Sequence, residues 1–113
     1  MTTVYCPVGH IELAREAYTH GHVPGHQYHD VEVLISRRGV RYRCHVVETW
    51  GSDQGYLQER GRLSVVGRGG SLREATSEAS SAARQAGIKQ EYLAAALSVA
   101  ADAAEEADDP VVR

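Results

Sequence analysis

Two alternating stretches joined by a four-residue connection constrain this chain more than any other feature. Residues 30–37, DVEVLISR, place Val31, Val33 and Ile35 on one side of an extended backbone. Residues 39–48, GVRYRCHVVE, place Val40, Tyr42, Cys44 and Val46 on one side and Arg41, Arg43, His45 and Val47 on the other. The SRRG between them is far too short for a crossover, so the two strands must pair antiparallel as a hairpin. One side of that hairpin is apolar and the other carries guanidinium groups.

The remaining elements follow from local signals. GSDQG, residues 51–55, predicts a second turn, and a third strand is expected within residues 56–67. Gly61 marks a bulge there, or divides the segment into two short strands. Ser71 and Glu74 form the S-x-x-E pattern of a capping box, worth about 1 kcal/mol at its serine. Behind it Leu72, Ala75, Ala79, Ala82, Ala83 and Ala86 make a helical stripe of mostly small residues. Gly87 supplies the left-handed terminator, and Ile88 folds back on the last turn. A second helix is predicted from about Lys89 towards Ala107, burying Leu93, Ala96, Leu97, Ala100 and Ala104. Glu105, Glu106, Asp108 and Asp109 oppose the negative pole of its dipole, so its last turn is expected to fray.

Upstream, HIELAREAYTHG predicts a short helix with Ile11, Ala14, Ala17 and Tyr18 on one face and Gly21 at its end. The expected fold is α+β: an antiparallel sheet of three to four strands, a short N-terminal helix, and two C-terminal helices packed on one face. A chain of 113 residues suits one domain, expected over residues 1–108, with 109–113 a disordered tail. With no Phe, one Met and one Trp, the core must be built from Val, Leu, Ile and Ala.

Cys6 and Cys44 are the two cysteines. MTTVYCPVGH has neither a basic start nor an apolar run, so a reduced, cytoplasmic protein is expected (host-cell cytoplasm for a phage product). No stretch has the length of a membrane span. Cys44 falls in phase with the valines and reads as a buried structural thiol rather than a nucleophile.

HGHVPGHQYHD, residues 20–30, is the densest cluster of chemistry-bearing side chains. In extended backbone His20 and His22 point the same way, His26 and His29 are near enough to join them, and Asp30 can orient a ring. Cys6 and His10 offer a further N/S pair of the kind zinc accepts. The spacing nevertheless matches no zinc motif, and Gly21, Pro24 and Gly25 raise the cost of ordering the loop. A solvated polar loop is therefore the expectation. The alternatives are a metal-binding domain using His20, His22, His26 and His29, and a pH-sensitive contact. No cofactor is expected. The glycines of GRGG, residues 67–70, lack both a P-loop lysine and a parallel-sheet setting, and no carboxylates are paired for acid–base work. Enzyme activity is not expected.

The arginines remain. Arg37 and Arg38 sit at the hairpin tip, Arg41, Arg43 and His45 project from its second strand, and Arg60, Arg62 and Arg68 come from the third-strand region. Trp50 and Tyr56 flank the neighbouring turn. If the helices cover the valine side, these groups share an open surface. Arg37, Arg38, Arg41, Arg43, His45, Trp50, Tyr56 and Arg62 then form a partner-binding set of the residue types that dominate interface energetics. Residues 31–70 hold seven Arg against four acidic groups, and residues 71–113 hold four basic against eight acidic, within a net charge of −3. That balance falls short of a strong nucleic-acid binder, and the strip lacks the stacking aromatics of an RNA-binding sheet. A protein partner is expected, with nucleic-acid binding through the same arginines as the alternative. Pairing of two copies through the alanine-rich second helix is compatible with the pattern.

Residues 31–87 run from a hairpin and a further strand, through a Gly-rich turn, to the capped helix SLREATSEASSAARQAG. In size, order and composition this resembles small phage-borne and mobile-element proteins, including anti-CRISPR inhibitors. The resemblance implies a non-enzymatic inhibitor that sterically blocks a nuclease or CRISPR surveillance complex. It assigns no functional residues, because that group shares no motif.

Overall fold

A computed structural model describes residues 4–20, 28–54 and 57–108, with side chains except at 20, 28, 52–54 and 57–60. Four strands come first, β1 (Ile11–His20), β2 (Tyr28–Arg38), β3 (Arg41–Gln54) and β4 (Leu57–Gly69). Two helices follow, α1 (Leu72–Ala86) and α2 (Gln90–Ala107). The strands form an antiparallel meander in the order β1-β2-β3-β4. The expected hairpin is β2–β3, closed at Arg38↔Arg41 around Gly39 and Val40. Gly39 has φ +60° while Val40 keeps a negative φ, the pattern of a turn with glycine at its first central position.

Val31, Val33 and Ile35 of β2 and Cys44 and Val46 of β3 are fully buried beneath the helices. α1 lies over β3 and β4, and α2 over β1 and β2. The alanine stripe is what lets α1 approach so closely: Ala75, Ala79 and Ala83 are completely buried, and α1 crosses β4 directly over Gly67. Both predicted caps form. Ser71 Oγ accepts from the Glu74 N–H, although the Glu74 carboxylate reaches back to the Gly70 N–H rather than that of Ser71. Gly87 is left-handed, and the Ile88 N–H donates to the Ala83 carbonyl with its side chain buried. The α2 N-terminus is capped from the sheet: buried Glu48 on β3 accepts from the Lys89 N–H at 3.1 Å.

Several expectations are corrected. Residues 11–20 are strand, not helix. The register slips between Glu12 and Ala14, and this bulge inserts one residue into the period of two. Ile11 and Ala14 consequently share a side at a spacing of three, which imitates a helical face. Residues 51–54 continue β3 instead of turning, with Gln54 paired to Leu57. Gly61 neither bulges nor breaks β4; it stands opposite Trp50, whose indole occupies the space a side chain there would need. Val40 is 79% exposed in the hairpin turn rather than buried. The end of α2 is tied down: Asp108 accepts from Arg37 Nε at 2.9 Å and from the Tyr42 hydroxyl. Residues 109–113, the expected tail, lie outside the described residues.

The second sheet face is not bare. Residues 4–10 cross it as a strap. Val4 is 1% exposed, packed on Leu34 and Val47 with Cys6 beside them. The Val4 N–H donates to Glu32 Oε1 at 3.2 Å, its carbonyl accepts from Arg15, and His10 Nδ1 lies 3.1 Å from Ser36 Oγ. The sheet thus has a helix-covered core and a smaller strap-covered one. Among the described residues no helix is long and apolar enough to cross a membrane.

Candidate functional site

The strap divides the open face into two halves of different chemistry. On the β1–β2 half, Arg15 is fully matched: its guanidinium bridges Glu32 at 2.6 Å and Glu12 at 2.9 Å, which holds its proton more firmly than usual. Around the end of the β2–β3 hairpin and the adjoining part of β4, arginines face arginines. The registers set Arg38 directly opposite Arg41 and Arg43 directly opposite Arg68. Like charges at opposed cross-strand positions are destabilising by several tenths of a kcal/mol or more. Among the described residues no carboxylate comes within ion-pairing distance of these four groups.

Together with His10 they line a cavity of about 550 Å³, with Pro7 of the strap and Tyr42 completing its wall. Arg43 is one of its lining residues. Its Nη1 is buried and has no hydrogen-bond acceptor among the described residues. Burial, reinforced by the charge of Arg68, makes that guanidinium easier to deprotonate than an ordinary arginine. Burial, and then the charges of Arg43 and Arg38, also lower the pKa of His10. The pocket is therefore rich in N–H donors and positively charged, with no acceptor of opposite charge among the described residues.

His45 extends the basic strip along β3 towards Arg62 of β4, which stands opposite Thr49. Its Nε2 lies 2.6 Å from Ser64 Oγ, and its buried Nδ1 has no partner among the described residues. Burial, then Arg43, Arg62 and Arg68, push its pKa down to about 4. Between the unfolded value near 6.5 and that level, the unfolded chain binds a proton that the folded chain refuses. Stability is therefore intact above pH 6.5 and falls as the pH drops towards 4. Because the ring is partly solvated, the expected loss by pH 5 is only about 1 kcal/mol. His45→Asn should reduce by that amount the pH 7-to-5 fall in urea unfolding free energy; identical pH profiles for the two proteins would refute the assignment.

The structure brings together Arg38, Arg41, Arg43, His45 and Arg62 of the expected partner-binding set, and adds Arg68 and His10. It separates others. Arg37 points to the helix face, where it pairs with Asp108. Trp50 also lies on the helix side, over Gly61. Tyr56 is outside the described residues. Arg68 was visible as one of several arginines, but its opposition to Arg43 depends on a register that only the paired strands fix.

Of the histidine cluster, His22 and His26 fall outside the described residues, while His20 pairs with His29 across β1 and β2. His29 faces the helices, its ring 6.2 Å from that of Tyr92, which itself stacks on Tyr18 at 5.4 Å. Asp30, one residue on, points to the opposite sheet face and so cannot orient that ring. No group of three metal-ligating side chains converges among the described residues. Cys6 Sγ donates to the His10 carbonyl at 3.8 Å. Both thiols are free; burial raises the Cys44 pKa to about 12, in keeping with a structural thiol.

No protein-family model matches the chain, and neither a curated protein nor a solved structure matches it.

Proposed function

We propose that this chain is a small binding module that docks an acidic protein surface on the arginine half of its open face and acts by occlusion rather than by catalysis. In the setting suggested by the resemblance to phage-borne inhibitors, the occluded partner would be a component of a host defence complex. One observation carries the reading. The fold neutralises Arg15 with two carboxylates, yet leaves Arg38 against Arg41 and Arg43 against Arg68 with none among the described residues. Uncompensated charge that costs the folded state something is explained by a partner of opposite charge. Protein is favoured over nucleic acid because the chain as a whole is acidic.

A photocrosslinking residue at position 62, with one at exposed position 99 on α2 as control, tests this in cells that produce the protein. Position 62 should trap one protein species, position 99 should not, and Arg41→Glu with Arg43→Glu should abolish the product while leaving the thermal midpoint near that of the parent. Trapping of nucleic acid instead, or a product that survives the double substitution, would overturn the proposal. A steep loss of binding with salt would also point to phosphate contacts.

A further inference from the structure

We infer that the cavity between the strap and the end of the β2–β3 hairpin is a binding site for a small phosphate-bearing ligand, with a diphosphate group as its minimal form. This inference goes beyond the docking proposal and stands without it, although the two share Arg38, Arg41, Arg43 and Arg68.

Three properties of the cavity select that chemistry. The first is charge. Four guanidinium groups line one space, with no carboxylate among the described residues paired to any of them. A single carboxylate leaves most of that charge unmatched, whereas a diphosphate concentrates about three negative charges within one small group. The second is the direction of hydrogen bonding. Guanidinium groups only donate, so the ligand must be rich in acceptors, and planar N–H forks match phosphate oxygens two at a time. Arg43 Nη1 is a buried donor still lacking an acceptor among the described residues, so the guanidinium that lines this cavity has hydrogen-bonding capacity the fold itself leaves unused. The third is size. About 550 Å³ falls in the range of small-ligand pockets and far exceeds one oxyanion. The strap supplies the wall that makes this end of the sheet concave, and its His10 gains a proton more readily once an anion offsets Arg38 and Arg43.

Titration calorimetry at low ionic strength tests the inference with inorganic diphosphate, a nucleoside diphosphate, orthophosphate and citrate. Diphosphate should bind at least tenfold more tightly than orthophosphate or citrate and raise the thermal midpoint. Arg68→Gln and Arg43→Gln should each weaken it about tenfold or more, while Arg84→Gln on α1 leaves it unchanged. Arg68 is exposed, so its variant keeps the test valid even if the Arg43 variant folds poorly. Tighter binding of the nucleoside diphosphate would mean the walls also read the attached group; equal affinity would mean the diphosphate alone is read. Either supports the site. Citrate binding as tightly as diphosphate, full affinity in Arg68→Gln, or binding of poly-glutamate or a DNA duplex without any binding of diphosphate would overturn it.

Discussion

Gly67→Val is expected to unfold the protein or leave it barely stable. A Cβ at this point of β4 would overlap the backbone of Ala75 and Ala79 in α1, and backbone cannot rotate away as a side chain can. The helix would have to lift, separating the Ala75, Ala79 and Ala83 stripe from Cys44 and Val46. Overpacking typically costs 1–3 kcal/mol where side chains can yield, so about 3 kcal/mol is a lower expectation here. For a domain of this size that lowers the melting temperature by more than about 10 °C, as read by circular dichroism. A variant melting within a few degrees of the parent would show that α1 does not sit on β4 at this distance.

Leu34→Ala should cost about 2–5 kcal/mol, and from the opposite side of the sheet. Leu34 is fully buried, yet it faces away from the helices, under Val4 and beside Val47. Truncating it empties the smaller core and removes the surface on which the strap rests. The expected signature is therefore local as well as global: the Val4 N–H, bonded to Glu32, should exchange with solvent faster than amides of the helix-covered core. A loss below 1 kcal/mol with Val4 still protected would mean that the strap is held by its hydrogen bonds to Glu32 and Arg15 alone.

Much of this architecture is legible in the residues. Strict alternation in residues 30–37 and 39–48 specifies the hairpin and its buried side, and Ser71, Glu74 and Gly87 mark the ends of α1 in the expected places. What misleads is physical. A bulge near Leu13 breaks the period of two in β1 and leaves a spacing that a helix would also satisfy. Weak strand formers in GSDQ remain extended because β4 pairs with them throughout. The strap had a signal that the alternation alone undervalues: Leu34 and Val47 are apolar in the polar phase of their strands, so two large aliphatic groups on a supposedly exposed face require a cover. Arg37 has the opposite history. Its position at the hairpin tip suggests solvent, but the pleat turns it to the helix side, where a contact 71 residues away with Asp108 claims it. No local rule supplies a partner at that separation.

The pleat also sets how this protein can change over generations. Along β3, Tyr42, Cys44 and Val46 face the helices, while Arg41, Arg43 and His45 between them face the other side of the sheet. Revising Arg41, Arg43 or His45 leaves Tyr42, Cys44 and Val46 where they are, so the chemistry of that face can drift while architecture stays constant. Such a strand carries two independent alphabets written on one ribbon.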